Sequence, residues 1–196
     1  MDHQFRSLTD DILEFWFGLP GDEGFGQSRE AWWRKDPAFD AQIRSRYLDQ
    51  YRRAVAGELD SMAQASEGAL ALILMLDQYS RNMFRGKPEA YASDEQALGL
   101  AHEALGAGFD QAVPPLWRGF FYMPFEHSET LADQDLSVSL FAALPVKKEW
   151  DETMAAAHRH REIIARFGRF PHRNEILGRE STPEEIEFLK QPNSSF

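Results

Sequence analysis

The sequence predicts an all-α fold, and three observations carry that prediction. Apolar residues recur at intervals of three and four through most of the chain. No stretch alternates with the period of two that a half-buried strand needs. Gly and Pro punctuate the chain at helix-length intervals. Together these imply a single domain of about seven to nine helices across residues 1–196. With 43% hydrophobic and 13% aromatic residues, the chain can fill one core of that size.

The first helix is expected over Leu8–Phe17, whose apolar residues include Ile12, Leu13, Phe15 and Trp16; Gly18-Leu19-Pro20 stops it. Residues 20–27 form a Gly-rich loop. Asp36-Pro37 starts a helix to about Ala56, because Phe39, Ile43, Tyr47, Tyr51 and Val55 recur every four residues along one face. Ser66 or Glu67 opens the next, which runs to Phe84 with Gly86 and Pro88 beyond. Its run Leu70–Leu76 has the apolarity of a buried strand. Ala, Leu and Met outnumber β-branched residues there, however, and the apolar pattern continues, so helix is expected.

Ser93–Ala107 is helical and ends in Gly106 and Gly108. Pro114-Pro115 leads into Leu116–Tyr122, and Ser128 caps a helix to Leu144, stopped by Pro145. Glu149–Phe167 follows, closed by Gly168. Thr182-Pro183-Glu184-Glu185 places Thr at an N-cap, Pro first in the helix and Glu third, which is a capping box for a helix from Pro183 to about Lys190. Residues 191–196 are expected as a flexible tail.

A net charge of -11 and pI near 5.0 argue against nonspecific binding to nucleic acid or anionic membrane. Zero cysteines remove disulfides, thiol catalysis and Cys-type zinc sites. The first residues lack the basic and apolar regions of a secretory signal, and Ala69–Leu76 is too short to span a bilayer. A cytoplasmic protein is expected.

One stretch opposes the overall charge. His158–Arg179 holds six Arg, no Lys, two acids and three of the six His, giving +4 where the remainder carries -15. Arg rather than Lys points to planar, two-pronged contacts with carboxylates or phosphates. Phe167 and Phe170 are expected to anchor the loop after Gly168, leaving Arg169, His172, Arg173 and Asn174 to project together; Gly178-Arg179 closes it.

Two other stretches could join it. In Leu76–Gly86, helical spacing stacks Asp77, Arg81 and Arg85 on an otherwise apolar helix, with Gln78 beside them. A structural Asp77–Arg81 ion pair is the favoured explanation of this stretch, because buried pairs are usually architectural. In Phe120–Glu129, His127 is expected in a loop just before a helix, Ser128 at its cap, Glu129 in its first turn and Gln134 further on. A metal site built from His127, Glu126 or Glu129, His160 and His172 is disfavoured by the abundant Arg nearby, so no metal is assigned. The sequence identifies no cofactor.

Taken in order, Ile12–Gly18, Trp32-Trp33, Phe39-Asp40, Leu76–Gly86, Tyr122–Glu129 and His158–Glu185 resemble the bacterial family known as domain of unknown function 924. The resemblance implies an all-helical, tetratricopeptide-like right-handed array and carries no activity. It marks positions only: Asp77, Gln78, Arg81, Arg85, His127, Ser128, Glu129, Gln134, His160, Arg169, His172, Arg173, Asn174 and Arg179 match its motif.

The leading expectation is a site for an anionic small molecule bearing phosphate or carboxylate. Arg81, Arg85, Arg169 and Arg173 would grip the anion, and His127, His160 and His172 would act as acid–base residues. The alternative is a helical scaffold that binds an acidic peptide. A third reading is an internal network, in which every Arg is matched by a carboxylate.

Overall fold

The computed structural model describes the backbone of residues 3–145 and 147–196, with side chains from residue 8 onward except 146 and 147. Among the described residues there is no strand. The α-helices are α1 (His3–Phe17), α2 (Glu30–Trp33), α3 (Pro37–Val55), α4 (Ser66–Ile73), α5 (Ser80–Met83), α6 (Asp94–Gly106), α7 (Pro115–His127), α8 (Leu131–Ala142), α9 (Lys147–Phe167) and α10 (Pro183–Leu189). A π-helical turn, Leu74–Tyr79, joins α4 to α5 as one rod, so nine helical units are described. None is long and apolar enough to cross a membrane.

Local chemistry sets several boundaries. The Asp36 side chain accepts from the backbone N–H groups of Ala38 and Phe39 at 2.8 and 3.2 Å, and Pro37 follows as the first residue of α3. Thr182 Oγ1 accepts from Glu185 N at 3.2 Å, and Glu185 returns the bond to Thr182 N at 2.7 Å. That reciprocal pair is the expected capping box.

The α4 rod is buried on all sides, and Tyr79, Trp16, Tyr47, Phe120, Phe121, Phe125, Phe141 and Trp150 pack around the core. Trp150 fits against α7 because Gly119 has no side chain; a Cβ there would lie 2.3 Å from the indole. Consecutive helices α6 to α9 pack in sequence. A smaller cluster of Ile163, Ile164, Phe170, Phe167 and Phe188 fastens the basic loop.

Two elements differ from the sequence reading. The expected unbroken helix over 66–84 contains the π turn. Its strained ladder is relieved by side chains: Ser80 and Ser93 donate to the Leu76 carbonyl at 2.8 and 2.6 Å, and Ser80 and Arg81 to that of Asp77 at 2.9 and 2.8 Å.

The helix expected to stop at Tyr122 continues through Pro124 to His127. Proline inside a helix costs about 3 kcal/mol, and burial of Phe120, Phe121 and Phe125, at roughly 1.5–3 kcal/mol each, outweighs it. His127 therefore ends α7 instead of preceding α8. Ser128 is the C-cap of α7, and Thr130 occupies the N-cap of α8.

Residues 191–196 contact earlier parts of the chain. Ser194 is buried and its hydroxyl donates to the Leu189 carbonyl at 3.0 Å. Phe196 reaches the ring of His160.

Candidate functional site

The arginines form a network rather than an open anion cradle. Arg81 lies 3.1 Å from Asp77 and donates through both terminal nitrogens to Asp94 at 2.9 and 3.0 Å. Arg173 donates to the same Asp94 at 3.2 Å, with its guanidinium over the rings of Phe170 and Tyr91 at 4.5 and 4.7 Å. Burial, reinforced by Arg81, lowers the Arg173 pKa to about 10, which leaves it charged at neutral pH.

Arg179 makes a two-pronged pair with Glu129 at 2.6 and 2.9 Å, and Glu129 also accepts from Phe170 N at 2.8 Å. Burial would raise the Glu129 pKa, but these donors hold it below the ordinary value. Arg169 pairs with Glu185 at 2.7 and 2.8 Å, and Asn174 donates to Ser181 and Glu185 at 3.0 and 3.3 Å. Arg85, expected above Arg81, lies past the end of α5 and binds Asp40 at 2.8 and 2.9 Å. Each nominated arginine thus has a carboxylate.

Two amides have equally local duties. Gln78 donates to Asp77. Gln134 donates to the carbonyls of Phe125, Glu126 and Ser128 at 3.3, 2.7 and 2.7 Å, closing the otherwise open end of α7.

The histidines face a different setting. A cleft of about 700 Å³ is lined by Trp33, Glu126, His127, Arg159, His160 and Phe196, among others. His127 sits with Nδ1 2.6 Å from Asp77 Oδ1, which leaves Nε2 as its other ring nitrogen. Burial would raise the Asp77 pKa, but Arg81 and then His127 hold it far below the carboxylate range.

His160 and Glu126 are 4% and 3% exposed. His160 Nδ1 lies 3.1 Å from Glu126 Oε1 without a directed hydrogen bond. Neither ring nitrogen of His160 nor Oε2 of Glu126 has a hydrogen-bond partner. At the rim, Lys148 and Arg159 have no carboxylate partner among the described residues.

His172 touches this site only through rings, its centroid 4.3 Å from that of Phe196. Burial, then Arg173 and His160, push its pKa down to about 3, so it is neutral near pH 7.

A second cleft, of about 650 Å³, shares His127 as a wall and is also lined by Tyr91, Asp94, Ser128, Glu129 and Arg173. The expected common cavity is therefore divided. His127 and His160 share one cleft, His127 and Arg173 the other, and Arg81 stands behind His127 across Asp77.

Sequence reading missed Asp94, which joins Arg81 to Arg173, as well as Arg159, Lys148 and Phe196. Asp94 resembles any acid in a first helical turn, and its partners lie 13 and 79 positions away. The sequence points to Glu126 only as a candidate metal ligand. Among the described residues no three His, Cys, Asp or Glu side chains form a metal-holding group.

No curated protein matches the chain. It is similar to the solved structure of ATU0120 from Agrobacterium tumefaciens, a protein of unknown function, with 42% identity and a TM-score of 0.82 over 94% of this chain and 98% of that one. A family model described as a bacterial protein of unknown function, DUF924, matches residues 12–193, and the chain belongs to that family.

Proposed function

We propose that this protein binds a small acid-bearing molecule in the cleft between the end of α7 and α9. The molecule's carboxylate or phosphate meets Lys148 and Arg159, and its polar centre meets His127, His160 and Glu126. The supporting observation is the buried Glu126–His160 pair with three unpartnered polar atoms. Buried polar groups are normally satisfied, and a deficit on a cleft wall favours a ligand. The Asp77–His127 pair adds a positioned acid–base group, so turnover is chemically accessible.

This reading moves the anion-binding role away from Arg81, Arg85, Arg169, Arg173 and Arg179, whose charges are already matched. The third sequence reading, an internal network, describes those five well. The same pairing weighs against an acidic peptide, since the guanidinium groups needed to grip it are engaged.

Phosphate or succinate should raise Tm saturably, because a ligand of the native state stabilises it by mass action. Sodium chloride at matched ionic strength should not reproduce the rise. Arg159→Ala should abolish it, while Arg52→Ala, at an exposed residue paired with Asp49, should not. An unchanged anion response in the Arg159 variant would overturn the proposal.

A further inference from the structure

We infer that the ligand of this cleft is an aromatic acid whose ring seats on His160, where Phe196 now lies. The inference rests on the cleft reading above and adds the class of molecule. Phe196 stacks on His160 at 3.7 Å between centroids and 26° between planes. It meets Phe170 edge-on at 5.4 Å and 85°, and His172 at 4.3 Å and 68°. One planar ring is thus held by three others, face to face with one and edgewise to two, the arrangements that ring quadrupoles favour.

The seat is well formed and covered, but the ring that covers it is itself half exposed. Phe196 remains 53% exposed, whereas Phe170 and His160 beneath it are 0% and 4% exposed. Two positions earlier, the Ser194 hydroxyl donates a hydrogen bond to the Leu189 carbonyl. A small ring could displace Phe196 without disturbing the core, since the residues forming the seat belong to α9 and the basic loop.

Displacement alone would gain little. An acid group on the incoming ring supplies a charge for Arg159 and Lys148 on the same cleft. Trp33, 40% exposed on another wall, offers a further aromatic surface. An aliphatic acid would use the cations but leave the ring seat to Phe196.

The test is calorimetric titration of the full chain and of Phe196→Ala with benzoate, cyclohexanecarboxylate and benzyl alcohol. Benzoate should bind about threefold or more tighter than cyclohexanecarboxylate, the scale of one ring contact, and benzyl alcohol should bind weakly. Phe196→Ala should tighten benzoate by about threefold to tenfold, by removing an internal competitor. Benzoate should also shift the His160 ring-proton resonance in NMR spectra.

Equal binding of the two acids, both lost in Arg159→Ala, would overturn the aromatic assignment and leave the acid-binding cleft standing. Weaker benzoate binding in Phe196→Ala would make Phe196 a wall of the site and would likewise overturn the inference. No binding of either acid to either protein would remove the cleft reading and this inference together.

Discussion

Glu185 and Glu126 are both buried carboxylates, 2% and 3% exposed, yet their surroundings are opposite. Glu185 accepts from Arg169, Asn174 and Thr182 N, and Arg169 above all draws its pKa down to about 2. Glu126 has one histidine nearby, no directed bond to it, and a second oxygen with no partner. One satisfies itself and fixes architecture; the other leaves a deficit beside a cleft. Burial of a carboxylate is therefore the same in the two places, and it is the completeness of its hydrogen bonding that differs.

The contrast is broken most severely at Asp94, on the satisfied side. Asp94→Ala would leave Arg81 and Arg173 buried with one carboxylate fewer, and should cost about 3–5 kcal/mol in a denaturant titration. A loss near zero would mean that the network is not a network.

Acid should act next. His172 has a folded pKa near 3 against an ordinary 6.5, so the unfolded chain binds the extra proton first. Its contribution is complete above about pH 6.5 and is lost as pH falls toward 3. Glu185, lowered from 4.5 to about 2, adds a contribution present above about 4.5 and lost toward 2. Stability should therefore start to fall near pH 6.5, and His172→Gln should flatten the upper part of that fall. An identical pH profile for the variant would contradict the buried neutral imidazole.

On the unsatisfied side the sign reverses. Replacing the pair together, Glu126→Leu with His160→Phe, should stabilise by about 1–4 kcal/mol, as apolar substitution of buried ion pairs often does, while removing any ligand response. Strong destabilisation would place Glu126 with Glu185. The smallest effect belongs to Thr182→Ala, which should cost about 1 kcal/mol, as N-cap losses do, and leave ligand binding unchanged.

The sequence made the fold legible where the cause is local. Asp36-Pro37 and the Thr182 box state their own helix starts, because the bonds involved join residues two or three apart. The helical continuation past Pro124 was hidden, because it depends on aromatic burial from other elements. The π turn was hidden too, since Ser93 supports it from 17 positions away.

For the site, residue types in the basic stretch correctly raised the question of arginine partners but not their answer. The carboxylates that neutralise Arg85, Arg173 and Arg179 lie 45, 79 and 50 positions away. No periodicity within one helix encodes such pairs. The Asp77–Arg81 contact, one turn apart, was the pairing that helical spacing could reveal.

These separations also bear on the order of folding. Helix formation needs only neighbours and is fast, whereas Asp40–Arg85, Asp77–His127, Glu129–Arg179 and Asp94–Arg173 must each close a loop of 45 to 79 residues. The helices can form before the network that aligns them. Viewed kinetically, the basic loop is a latch: it joins α6 and the segment between α7 and α8 to the segment leading into α10, after each has formed. Local opening at this latch would separate the histidine cleft from its supports while leaving the aromatic core around Trp16 and Phe120 intact.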